Sequence, residues 1–374
     1  MPIHGLDKAR FKREYWQNKA LLIRQGFVDF ECPVNGDDLA GLACEDDIES
    51  RLITRGLTNW SLRGGPFTES DFSKLPASDW TLLVQRVDHW IPEVADLIRH
   101  FDFLPRWRID DVMVSYAAPG GGVGPHFDNY DVFLVQGSGR REWRLGQVCD
   151  ATTPTVATNG LQQLEAFQEE SRHVLEPGDI LYVPPGLAHW GTALDDDCIT
   201  LSVGFRAPSS AEILGRWADE VIAQLNESER YRDTAATLDA GNSLNHEHLL
   251  ALRELLQAKL DDDSLIKSFG ELVTETATAS VQDDEPLPAA GEDVFLALDA
   301  RLTCYADAQQ SRLFANGQSI HCVQESLPIL RTICNLGPGE IVPNALWLEL
   351  CEQFAEVATF LLGTGALSRD SDGF

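Results

Sequence analysis

Metal-finger cysteine pairs, basic residues and long apolar runs are what this 374-residue sequence lacks. Its eight cysteines (Cys32, Cys44, Cys149, Cys198, Cys304, Cys322, Cys334 and Cys351) are scattered with no Cys-x2-Cys pair. That excludes a zinc knuckle and reads as reduced thiol usage rather than a disulfide framework. Lysine and arginine together number 29 against 59 acids, a net charge of −30. Phosphate recognition needs clusters of Lys and Arg, so the balance argues against direct DNA binding. The same field would steer a basic protein partner inward, although acidity also serves solubility or a saline habitat. No stretch approaches a membrane span and no apolar signal core stands at the N-terminus, so a soluble, cytoplasmic protein is expected. The glycines at 120–122 and 124 are not followed by Gly-Lys-Ser/Thr, which removes a phosphate loop from consideration.

What is present is organised around Pro119-Gly-Gly-Gly-Val-Gly-Pro-His-Phe-Asp-Asn-Tyr-Asp131 and the strand-like run after it. In a strand, alternate side chains share a face, so His126 and Asp128 project the same way. An imidazole and a carboxylate aimed at one point supply two members of the 2-His-1-carboxylate set that holds non-haem Fe(II). The third candidate is His189. It ends Gly178-Asp-Ile-Leu-Tyr-Val-Pro-Pro-Gly-Leu-Ala-His189, which reads as turn, short apolar strand, tight turn, then histidine. This second pattern resembles the later metal motif of the cupin, or double-stranded β-helix, superfamily. Either motif alone is weak; both in this order carry weight.

In Gly139-Arg-Arg-Glu-Trp-Arg-Leu145, alternation puts Arg141, Trp143 and Leu145 on one face. That face is apolar apart from its arginine and is expected to line a barrel interior. A buried guanidinium is costly without a partner, and its natural partner is a carboxylate gripped by two parallel hydrogen bonds. The carboxylate would be a protein acid or one end of a dicarboxylate cosubstrate.

The run from Trp107-Arg-Ile-Asp-Asp-Val-Met-Val-Ser-Tyr116, through Pro119, His126 and Asp128, to Gly139–Arg144 resembles the bacterial ribosomal oxygenases of the Jumonji-C group. Within that group it is most similar to the ribosomal protein arginine hydroxylases. Tyr15–Arg24 and Ser202–Pro208 extend the likeness, which covers at least residues 10–210. The resemblance implies Fe(II) held by His126, Asp128 and His189, and 2-oxoglutarate whose far carboxylate pairs with Arg141, with O2 as co-reactant. Ser115, Thr200 and Ser202 are expected as further cosubstrate contacts. The implied target is the β-carbon of an arginine in a basic large-subunit ribosomal protein; such a target needs an anionic or π-lined slot, for which Asp111, Tyr130 and Asp131 near the metal strand are the candidates. The same chemistry on a histidine or other protein residue is one alternative. A non-catalytic cupin ligand sensor, of a different class, is the other.

The rest of the chain is long enough for further domains. Residues 1–30 are expected to mix an amphipathic helix around Phe11–Arg24 with a strand, followed by strands at Leu52–Leu57 and Trp80–Gln85 and a short helix at Val94–His100. Segment 150–172 reads as an insertion between barrel strands, partly helical over Gly160–Glu170. After Pro208 the period changes. Ser209-Ser-Ala-Glu212 is a capping-box signature opening a helix. Helices over His246–Leu260 and on to about Thr274 follow. The expected fold is α+β: a Jumonji-C/cupin barrel over 1–208, a helical dimerisation module over 209–278 that makes a homodimer, a polar, Pro-rich linker over 279–291, and a winged-helix-like domain over 292–374. In that last region a helix is expected at Val294–Phe314, a strand at Ser319–Val323, and helices at Leu327–Cys334 and Ala345–Leu362. With four arginines and no lysine against eleven acids, this end suits a protein contact better than DNA.

Overall fold

The larger sheet within the first 205 residues buries one face against helices and turns the other toward a cavity, and this division sets the architecture. In chain order the computed structural model contains α1 (Lys8–Glu14), β1 (Leu21–Ile23), α2 (Gly36–Leu42), β2 (Ser50–Arg55), β3 (Trp60–Gly64), α3 (Glu69–Phe72), β4 (Trp80–Val84), α4 (Pro92–Ile98), β5 (Ile109–Ala117), β6 (Asp131–Ser138), β7 (Arg141–Val148), β8 (Thr155–Thr158), β9 (Leu161–Leu164), β10 (Ser171–Leu175), β11 (Ile180–Val183), β12 (Leu187–Ala193) and β13 (Cys198–Phe205). The structure describes residues 3–56, 60–276, 287–288 and 292–369. It divides into two units, one running to Ala207 with 337–339, the other taking the remainder.

In the first unit an eight-stranded sheet has the order β1-β11-β6-β13-β5-β4-β2-β3, and a three-stranded sheet the order β10-β7-β12. All pairings are antiparallel. β13 is hydrogen-bonded on both sides and every one of its residues is buried. Register puts Ser202 beside both Met113 and Leu134, so these three share a face. Val132 and Leu134 of the large sheet meet Trp143 and Leu145 of the small one in a single apolar cluster, which closes the two sheets on each other. On the opposite face of the large sheet, Phe11, Phe101, Phe133, Tyr182 and Phe205 form an aromatic core. Burying so many rings anchors the sheet, at roughly 1.5–3 kcal/mol for each fully buried large apolar side chain.

Several local expectations change. The helix expected around Phe11–Arg24 stops at Glu14. Leu21–Ile23 then pairs with β11 instead, because an edge strand satisfies its backbone and buries Ile23. The helix expected within 160–170 is absent: Thr155–Thr158 and Leu161–Leu164 form a hairpin. Asn159 and Gly160 both take positive φ, 48° and 89°, which is the twist a two-residue hairpin turn demands. The expected strand at Leu52–Leu57 ends at Arg55 as β2; Leu57 lies outside the described residues.

The second unit opens with α5 (Ser210–Gln224), where Ser209 and Glu212 form the capping box. Then come α6 (Ala235–Leu238), α7 (His246–Gln257) and α8 (Asp262–Thr274). Most of the linker expected at 279–291 lies outside the described residues. Beyond it β14 (Phe295–Leu296), β15 (Leu302–Ala306), β16 (Ser311–Ala315) and β17 (Gln318–Cys322) precede α9 (Leu327–Cys334), α10 (Asn344–Gln353), α11 (Ala355–Gly363) and β18 (Leu367–Ser368). β15–β17 make a three-stranded antiparallel sheet. The helix expected over Val294–Phe314 is therefore overturned. Asp307 accepts the backbone N–H groups of Gln309 and Gln310, and that turn reverses the chain between two strands. The closing helix is also two helices, broken at Phe354, whose φ of −138° and ψ of 47° are not helical. Gly270 of α8 lies so close to the Phe314 ring that an added Cβ would fall 2.3 Å from it, so helix and sheet pack tightly here.

Candidate metal and cosubstrate site

His126 and His189 come from different segments but meet as a backbone bridge, each N–H donating to the other's carbonyl at 3.0 and 2.8 Å. Their rings lie with centroids 4.2 Å apart, tilted 57° to each other. Asp128 completes the group: its Oδ2 lies 3.8 Å from His126 Nε2 and 3.5 Å from His189 Nε2. Ligand atoms of all three lie within 4.8 Å of one another, the one such group among the described residues.

Ring orientation is fixed from behind. His126 Nδ1 lies 3.0 Å from the Gly124 carbonyl and His189 Nδ1 lies 3.0 Å from the Leu187 carbonyl. A carbonyl can only accept, so each Nδ1 carries the proton and each Nε2 keeps its lone pair toward the shared point. Burial above all, with the His126 imidazole alongside, pushes the His189 imidazole down to about 4, so it is neutral and its Nε2 lone pair is available to a metal. Two neutral nitrogens and one carboxylate suit a divalent first-row metal with positions left open.

Across the same cavity, of about 330 Å³ and lined by residues of both sheets, stands Arg141. Its side chain is 5% exposed, and its Nε and Nη2 have no hydrogen-bond partner. The guanidinium lies 5.8 Å from the centre of the Trp143 ring, a cation–π contact that offsets only part of the desolvation. Two orphaned donors in a buried fork fit a carboxylate supplied from outside the chain.

The JmjC domain family matches residues 96–213, the stretch that holds all of these groups. Over 273 residues, 72% of each chain, the sequence is 38% identical to the ribosomal protein uL16 3-hydroxylase of Escherichia coli (strain K12). The chain belongs to the JmjC ribosomal oxygenases. A probable ribosomal oxygenase of Haemophilus influenzae is 34% identical over 327 residues, 82% of this oxygenase and 80% of that protein. Among solved structures, the YcfD ribosomal oxygenase from Escherichia coli in complex with cobalt and 2-oxoglutarate superposes with a TM-score of 0.78. It is 32% identical, over 97% of this chain and 98% of that one. A further structure of the same E. coli protein reaches 0.83 at 31% identity, covering 98% and 100%.

The remaining residues singled out in the sequence distribute unevenly around this oxygenase's cavity. Ser115 and Ser202 line it. Thr200 does not; its hydroxyl donates to the Gln136 side-chain carbonyl at 3.1 Å. Tyr130 lines it and hydrogen-bonds Asp128, and burial with the charges of Asp128 and Asp111 pushes its phenol up. Asp111 sits in an adjoining recess that shares Met113, Tyr130 and Ser202 with the cavity. Burial and the charges of Asp88 and Asp110 push its carboxyl up to about 6. Asp131 corrects the substrate-slot expectation. It is fully buried outside the cavity, 3.1 Å from Arg108 Nη2, 2.5 Å from the Tyr182 hydroxyl and 3.2 Å from Gln17 Nε2. It packs with the opposite face of β6 because it has the strand parity of Phe133, whereas Val132 and Leu134 face the cavity. Sequence reasoning missed the cavity wall from β2 and β4, where Arg51, Ile53, Thr81 and Leu83 point inward. Alternation in those two strands was the available signal. Among the described residues no helix is long and apolar enough to cross a membrane.

Proposed function

We propose that this oxygenase hydroxylates the β-carbon of an arginine side chain in a basic protein of the large ribosomal subunit, consuming 2-oxoglutarate and O2 at Fe(II). When bound, iron with its cosubstrate supplies the oxidising chemistry: one oxygen atom goes to a C–H bond, and succinate and CO2 leave. The chain's own work is to hold and orient. His126 and His189 would bind the metal through Nε2 and Asp128 through its carboxylate. Arg141 would take the far carboxylate of 2-oxoglutarate in a two-pronged grip, with Ser115 and Ser202 as neighbouring hydroxyls. The observation that carries this reading is the buried Arg141 guanidinium, with Nε and Nη2 lacking acceptors, in the same cavity as the two imidazoles and the carboxylate.

A cationic target is favoured by Asp111, an acid held at a cost beside Tyr130, which would receive a guanidinium better than an imidazole. The name of the E. coli relative brings a ribosomal protein into the reading. The test is incubation with Fe(II), 2-oxoglutarate, air and large-subunit ribosomal proteins, followed by mass analysis of peptides. One added oxygen on an arginine is expected, and none with His126→Ala. Succinate release by a verified metal-free His126→Ala protein would refute the reading.

We also propose that the chain pairs with a second copy through its helical segment and that the C-terminal part serves as a winged-helix-like protein-docking domain. Support for pairing comes from α7 and the residues that follow it. Leu249, Leu252, Leu256 and Leu260 are 50, 47, 62 and 54% exposed, an apolar surface that a soluble monomer rarely leaves open. The charge of the C-terminal segment supports protein contact over DNA.

A further inference from the structure

The β8–β9 hairpin takes no part in the chemistry above, yet its base grips both segments that carry the metal-binding side chains. Leu161 and Gln162 line the cavity. Gln163, 8% exposed, donates from its side-chain amide to the Val123 carbonyl at 2.8 Å, and the Leu164 N–H donates to the Pro125 carbonyl at 2.9 Å. Between those carbonyls lies Gly124, with φ of +83°, where an added Cβ would fall 2.1 Å from Gln163 Nε2. The Gly124 carbonyl is the group that faces His126 Nδ1. The Leu164 side chain is buried with Cys149 and Ala188, and Phe127 packs against that cluster. Phe127 separates the first two ligands in sequence, and Ala188 precedes the third.

We propose that Gln163 is a positioning residue for the metal site: the hairpin base clamps the 123–125 segment so that the Gly124 carbonyl holds the His126 ring with Nε2 toward Asp128 and His189. The inserted hairpin is thus part of the metal site, and more than a cover for it. Removing the amide donor takes from the half-buried Val123 carbonyl its side-chain partner and frees the segment to shift, and small ring rotations are enough to spoil ligation. The inference rests on the metal reading given above, and the experiment separates the two.

Apo protein is titrated with Co(II) under inert gas and followed by visible absorption, alongside apo melting temperatures. Gln163→Met keeps the side-chain length and removes the donor. It is expected to weaken Co(II) about tenfold, the low end of what outer-sphere partners of ligating histidines contribute, and to alter the absorption band while the apo melting temperature holds. Wild-type affinity and spectrum in Gln163→Met would overturn the proposal, as would an affinity loss that only follows a collapsed melting temperature. If wild type binds Co(II), His126→Ala loses it and Gln163→Met is unchanged, the clamp fails and the metal reading stands. No Co(II) binding by wild type brings down both.

Discussion

Arg141 and Asp111 are charges of opposite sign, each held with less compensation than burial requires. For Arg141 the shortfall is two donors without acceptors, so removing the guanidinium relieves the apo protein while disabling it. Arg141→Met is expected to raise apo stability by roughly 1–3 kcal/mol and to raise the KM for 2-oxoglutarate about a hundredfold. Denaturant melts and succinate assays check the two signs together; a destabilised apo variant would count against an orphaned guanidinium. For Asp111 the direction follows from linkage. Its folded carboxyl titrates at about 6, above the ordinary value of about 3.9. The folded state therefore retains a proton that the unfolded chain has lost, and the favourable contribution present in acid is lost as pH rises through about 6. Asp111→Asn is expected to be more stable than wild type at about pH 8, by roughly 1–2 kcal/mol after allowance for partial exposure, and little different at about pH 4. Since a cationic target prefers the ionised carboxylate, the substrate KM of wild type should fall as pH rises through about 6, measured as a KM–pH profile. A flat profile would remove Asp111 from the slot. At this scale His126 with Asp128 could be singled out from their spacing, His189 from its turn–strand–turn motif and Arg141 from strand alternation, because each of these signals is local. Asp131 was not, because the parity that buries it with Phe133 is set by which face of β6 meets the aromatic core.

Elements were read correctly where a terminal signal was strong and wrongly where periodicity was ambiguous. Ser209 and Glu212 announce α5 because a capping box satisfies backbone donors within four residues. The 155–164 hairpin carried an equally local signal, Asn159-Gly160, which the Gln- and Glu-rich composition around it concealed. Over 294–314 short apolar runs fit either period, and the Asp307 turn decides for two strands. The helical segment also bears the pairing proposal. The double variant Leu252→Glu with Leu256→Glu places charge where a dimer would bury leucine. Sedimentation velocity is expected to show dimer for wild type and monomer for the variant, with circular dichroism still that of a folded chain since both side chains are exposed in the single chain. A monomeric wild type would dispose of the proposal.

For the whole molecule the governing quantity is a net charge of −30. A field of that sign raises the encounter rate with a basic substrate and is screened over about 8 Å at physiological ionic strength. Raising salt should therefore lower kcat/KM for a basic ribosomal protein several-fold while kcat holds, because steering acts before the chemical step. A salt-independent kcat/KM would leave the acidity to solubility alone. Charge, the absence of cysteine pairs, the spacing of the two metal motifs and the in-facing arginine were determined by sequence alone, since each depends on composition or on neighbours a few residues apart. Tertiary structure decided that His126 and His189 pair through their backbones, that Arg141 meets no acid among the described residues, that Asp111 shares its recess with Asp110 and feels the charge of Asp88, and that a hairpin base grips the ligand loop. Those outcomes depend on contacts between strands far apart in the chain, and no local pattern encodes which long-range neighbour will fill, or leave open, a buried hydrogen bond.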